Sequence, residues 1–174
     1  MNKALRTAAL AAASLGTLCF SGAASAAWTF TDDTGGASIS GAYPAFTITG
    51  SDLFDFNDDL ATYTQAFTSA QAVTFTWNYV TEDCCGSAWD PAGYILNGVR
   101  HQLSINGPAG QGSAGVATVD VGAGDVFGWY VESLDSEQGP GLLSVSVVPE
   151  PASVALLMAG VGALAFAARR RAKG

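Results

Sequence analysis

Residues 72–81 read AVTFTWNYVT. In an extended chain Val73, Phe75, Trp77 and Tyr79 fall on one side, and Thr74, Thr76 and Asn78 on the other. A period of two is the signature of a strand with one buried face; a helix would return its apolar residues every three to four positions. The pattern recurs in GLLSVSVV, where Leu143, Val145 and Val147 alternate with Ser144 and Ser146. GVATVDV and DVFGWYVESL read as two further strands, split by Gly122-Ala123-Gly124. GYILNGVRHQLSI is two β-prone runs joined at Asn97-Gly98, a dipeptide that accepts the positive φ angles of a two-residue hairpin turn. WTFT, AFTITG and TYTQAF are shorter candidates, and no part of residues 27–148 has a helical period. About eight or nine strands in 122 residues predict one all-β domain, a β-sandwich or jelly roll. Phe75, Trp77, Tyr94, Phe127 and Trp129 are available for its core.

Charge narrows the function. Residues 27–148 hold one basic residue, Arg100, against fourteen Asp and Glu. The other cations are Lys3 and Arg6 at the start and Arg169, Arg170, Arg171 and Lys173 at the end. An acidic body of this kind repels phosphates and offers no footprint for nucleic acid.

The first 26 residues have the three parts of a secretory signal peptide. Lys3 and Arg6 form the positive start, residues 8–20 the apolar stretch, and Ala24-Ser25-Ala26 the small-x-small cleavage site, so the mature chain is expected to begin at Ala27. Leu18 stands before Cys19 where lipoprotein processing wants a small residue, and Cys19 leaves with the peptide. Cys84 and Cys85 remain, adjacent in sequence. In an oxidising compartment they can form a vicinal disulfide, stay free or bridge to another molecule; they lack the spacing of a redox pair or of a zinc site.

Several constellations invite chemistry, and each has a plainer reading. GQGSAG, Gly110–Gly115, fits G-x-G-x-x-G, but a β-type run follows where a dinucleotide site needs a helix, so it reads as a loop. Ser113 is not a nucleophile elbow, because Gln111 stands where that motif needs glycine. His101, the only histidine, has no second histidine with which to share a metal and reads as a structural or surface residue. SDLFDFNDDLATY gathers Asp52, Asp55 and Asp58, candidate ligands for Ca²⁺, with a solvated acidic turn as the alternative; a second acidic loop, ESLDSEQGPG, would have to approach it in space. TEDCCGSAWDPAGY carries Asp83, Trp89, Asp90 and Tyr94, a candidate sugar-contact loop unless Trp89 pins it to the core.

The C-terminus is the most specific feature. Pro149-Glu150-Pro151 precedes an uncharged run, residues 152–168, and then Arg169-Arg170-Arg171. As a helix that run would be about 26 Å long, enough for a thin bilayer, with the arginines held on the cytoplasmic side. The order of these parts resembles the PEP-CTERM sorting signal of exported proteins in Gram-negative bacteria. The resemblance implies recognition by an exosortase at or near the Pro-Glu-Pro, an inner-membrane intermediate held through residues 152–168, and release or transfer of the body to the cell surface or a biofilm matrix of exopolysaccharide.

The expected organisation is therefore a signal peptide (1–26), a β-sandwich domain (27–148) and a sorting signal with a transmembrane helix (149–174). The chain is expected to be the substrate of that processing and not an enzyme, with a structural or glycan-binding body. A secreted glycan hydrolase and a calcium-dependent adhesion module are the alternatives.

Overall fold

The computed structural model describes residues 26–148, Leu157, residues 159–164 and Arg169. Its strands are β1 (Thr29–Asp32), β2 (Ser38–Ala42), β3 (Ala45–Thr49), β4 (Asp59–Ala66), β5 (Gln71–Thr81), β6 (Ala92–Leu96), β7 (Val99–Gln102), β8 (Gly112–Val121), β9 (Val126–Ser133) and β10 (Gly141–Val148). They form two five-stranded antiparallel sheets, in the orders β1-β4-β9-β6-β7 and β2-β3-β10-β5-β8. The all-β sandwich expected from alternation is what forms.

Alternation also places the core. Val73, Phe75 and Tyr79 of β5 and Leu143, Val145 and Val147 of β10 are buried, facing Ala61 and Tyr63 of β4 and Phe127, Trp129 and Val131 of β9. Trp129 sits at the centre, with ring centroids of Trp28, Phe46, Phe75 and Phe127 at 5.2, 5.1, 5.3 and 5.0 Å. Such pairs add roughly 0.5–1.5 kcal/mol each beyond the area they bury. Trp77 and Tyr94, expected in the core, are only partly buried and pack against it from outer positions. The reason is place in the sheet: Trp77 lies opposite Gly115 of edge strand β8, and Tyr94 opposite His101 of edge strand β7.

The Asn97-Gly98 hairpin is as expected, with φ of 52° and 81°. Asn97 also anchors the neighbouring turn: its side-chain NH₂ donates to Asp125 Oδ1 at 2.8 Å and its Oδ1 accepts from Val126 N–H at 2.9 Å. GQGSAG ends a loop and enters β8, and no helix follows it. Strand β2, SISGA, carries little apolar signal and was not among the expected strands; it forms because β3 offers it an edge.

Ala24 of the signal-peptide cleavage site, Pro149-Glu150-Pro151, Arg170 and Arg171 lie outside the described residues, as does most of residues 152–168. Residues 159–164 are helical, and among the described residues no helix is long and apolar enough to cross a membrane.

Candidate functional site

Two regions gather polar groups. The first is a cleft of about 340 Å³ at the outer face of the β1-β4-β9-β6-β7 sheet, lined by Asp33, Asp58, Asp59, Leu60, Ile95, Gly98, Arg100 and Glu132. Register builds it: Leu60 pairs with Glu132 and Ile95 with Arg100, so these four side chains share the face turned away from the core. Arg100 and Glu132 form an ion pair over the intervening strand β6. Four carboxylates against one guanidinium leave the cleft strongly negative. Asp59 is buried; its Oδ1 accepts from Thr34 N–H at 3.1 Å while Oδ2 has no partner. Burial, and then its contact with Asp32, raise its pKa above the usual carboxylate range, with Thr34 acting the other way.

The second region is one end of the sandwich, where the loops 50–58, 82–91 and 134–140 meet. Phe54 N–H donates to Ser136 O at 2.7 Å and Cys84 N–H to Gln138 O at 3.2 Å, so the two acidic stretches do approach each other. The approach does not assemble the expected Ca²⁺ trio. Asp52 Oδ1 accepts from Gly139 N–H at 3.3 Å, Asp55 Oδ1 accepts from Asn57 N–H at 3.1 Å, and Asp58 lines the cleft. Among the described residues the one group of three potential metal ligands with mutually close donor atoms is Asp83, Cys84 and Cys85. Asp55 caps its own turn, Asp52 reaches across to the 134–140 loop and Asp58 turns to the cleft, so the three do not converge.

The candidate sugar-contact loop is also redistributed. Asp83 and Asp90 are fully buried and cannot touch an external sugar, while Trp89 is 44% exposed and so does not pin the loop. Tyr94 stacks on His101, with centroids 4.5 Å apart and planes 7° from parallel, which gives the histidine a packing role. Asp90 instead joins the core lattice: its Oδ2 accepts from Thr81 Oγ1 at 3.0 Å and its carbonyl from Tyr79 Oη at 2.6 Å. Burial, against hydrogen bonds from Thr81 and Ser133, and with the charges of Asp83 and Asp135 nearby, pushes the Asp90 carboxyl up to about 7. The sulfurs of Cys84 and Cys85 stand 3.0 Å apart on an exposed turn and are unbridged in the structure.

Glu132, Thr81 and Ser136 were not singled out from sequence, and Asp59 was read only as part of the acidic stretch with Asp52, Asp55 and Asp58. Arg100 carried a signal, as the one cation of an acidic body.

The PEP-CTERM protein-sorting motif matches residues 147–171. No curated protein matches the chain. Among solved structures, the chain is similar to Xyl-CBM35 in complex with a glucuronic acid-containing disaccharide, at 16% identity and a TM-score of 0.35, over 73% of this chain and 90% of that one. It is also similar to the carbohydrate-binding module CBM6cm-2 of lichenase 5A from Cellvibrio mixtus in complex with cellotriose, at 12% identity and a TM-score of 0.31, over 74% and 91%.

Proposed function

We propose that this chain, which carries a PEP-CTERM protein-sorting motif, is cargo whose β-sandwich is the delivered part. An exosortase cuts it at or near Pro149-Glu150-Pro151, and the body is left at the cell surface or in the extracellular polymer matrix. The observation that supports this most is the end of β10. That strand lies in the middle of its sheet, between β3 and β5, and runs to Val148. Pro149 follows at once, and proline cannot continue a central strand because it has no N–H to donate. Cleavage there therefore costs the domain none of its ladder. Mass spectrometry of the chain from cells with and without the exosortase tests it: a shortened C-terminus is expected only where the enzyme is present, and intact C-termini in both refute it.

The body is then a non-enzymatic binding or structural domain, and the cleft around Arg100 and Glu132 is where a glycan would sit. Carboxylates accept hydrogen bonds from sugar hydroxyls, Leu60 and Ile95 supply an apolar floor, and the volume suits roughly one or two sugar rings. The excess negative charge favours neutral or amino sugars over uronates. A glycan array is expected to show binding that Arg100→Ala and Glu132→Gln weaken; binding unaltered by either places the ligand elsewhere. Hydrolysis needs a carboxylic acid and a second carboxylate across the bond; Glu132 is held by Arg100, so a hydrolase would have to draw both from Asp33, Asp58 and Asp59. Shortened glycan after prolonged incubation would replace the binding reading with the hydrolase.

A further inference from the structure

At the loop end of the sandwich the fold buries acid without answering it. Asp83, Asp90 and Ser136 each have 0% exposure. Asp83 spends Oδ1 on the backbone N–H groups of Cys85 and Gly86, and Asp90 spends Oδ2 on Thr81. Asp83 Oδ2, Asp90 Oδ1 and Ser136 Oγ are buried with no hydrogen-bond partner within the protein. The three belong to one place. Thr81 Oγ1 links the two acids, donating to Asp90 and accepting from Asp83 N–H at 3.0 Å. Ser136 is tied by its N–H to Ser133 Oγ at 3.1 Å, and Ser133 in turn lies against Asp90.

A fold leaves carboxylate oxygens bare in its interior only when something else meets them, since an unpaired buried charge is among the costliest features a protein can hold. A proton shared between the two acids would draw their oxygens into hydrogen-bond contact, and neither free oxygen makes one. A hard cation bound at 2.3–2.6 Å keeps its oxygen ligands apart while neutralising both.

We infer that the 82–91 and 134–140 loops hold a hard divalent cation of the Ca²⁺ class, with Asp83 Oδ2 and Asp90 Oδ1 as its carboxylate ligands and the Ser136 hydroxyl beside them. Ca²⁺ fits better than Mg²⁺ because it accepts irregular oxygen sets drawn from loops, whereas Mg²⁺ demands a near-ideal octahedron. The site is distinct from the cleft and from Asp52, Asp55 and Asp58. It adds to the backbone bonds that already join the two loops, Glu82 N–H to Pro140 O at 3.0 Å, Cys84 N–H to Gln138 O at 3.2 Å and Leu134 N–H to Trp89 O at 2.8 Å.

The test uses the full chain stripped with a chelator. Ca²⁺ at a hundredfold excess over its Kd is expected to raise the melting temperature by on the order of 10 °C. Asp83→Asn and Asp90→Asn lose that rise, while Asp55→Asn keeps it. Should either asparagine variant fail to fold, Tb³⁺ bound to the unaltered chain and excited through tryptophan decides: one equivalent displaced by Ca²⁺ is expected, and no displaceable Tb³⁺ overturns the site. An unchanged melting temperature at millimolar Ca²⁺ overturns it too, leaving water or a proton in the gap. A larger response to Zn²⁺ that vanishes in Cys84→Ser or Cys85→Ser would overturn the all-oxygen assignment in favour of Asp83, Cys84 and Cys85.

Discussion

Thr81 Oγ1 lies 3.0 Å from Asp90 Oδ2, and this contact ties the last residue of β5 to the loop that enters β6 in the opposite sheet. The same hydroxyl accepts from Asp83 N–H. Thr81→Val keeps the shape but strands an N–H and a carboxylate oxygen in the interior. A loss of about 2–3 kcal/mol in urea unfolding is expected, with Thr81→Ser close to the unaltered chain. A larger loss in Thr81→Ser than in Thr81→Val would show that the methyl group, not the hydroxyl, matters.

Trp129 joins the two sheets through four aromatic neighbours and is fully buried. Trp129→Ala is expected to cost about 3–5 kcal/mol, because a rigid cluster of rings cannot collapse into the space left. Trp129→Phe fills part of that space and should cost less. Denaturant midpoints measure both.

A chain ending at Val148 is expected to keep the full strand signal in circular dichroism and a single cooperative melt. One ending at Pro140 loses β10, and with it Leu143, Val145 and Val147 of the core and the only strand between β3 and β5. That shorter chain is expected not to fold. A folded chain lacking β10 would contradict the placing of the cut outside the domain.

Asp59 sets a pH dependence. Its folded pKa is raised, chiefly by burial and then by Asp32, so the folded state holds a proton that the unfolded chain has already released. The sign follows from linkage: its contribution favours folding below the unfolded value of 3.8 and is lost as pH rises through the raised folded value. Asp59→Asn should remove this term, so its stability relative to the unaltered chain is expected to improve as pH climbs from the unfolded value of 3.8 through the raised folded value. Asp32 and Thr34 face the group from the β1–β2 side, and Ser133 is its partner on β9. Thermal melts across that range, in chelator, read the difference; parallel curves would contradict it.

Much of the fold was legible because a strand writes its buried face into every second residue. β5, β9 and β10 announced both their type and their core side chains in this way. Asn97-Gly98 announced its turn, because few dipeptides tolerate two successive positive φ angles. The Pro-Glu-Pro, apolar and arginine series is linear, so the sorting motif could be read without any fold. What only the tertiary structure decided concerns residues whose neighbours are distant in sequence. Trp77 and Tyr94 have the same alternation as Phe75 and Trp129, yet edge strands leave them half covered. Asp83 and Asp90 look like an exposed acidic loop, yet the packing of three loops takes them out of water. Asp52, Asp55 and Asp58 look like one ligand set, yet Asp52 and Asp55 are spent on different backbone N–H groups and Asp58 lines the cleft. Local pattern fixes the direction in which a side chain points; whether solvent, a partner or a cation meets it there depends on loops brought together only when both sheets have closed.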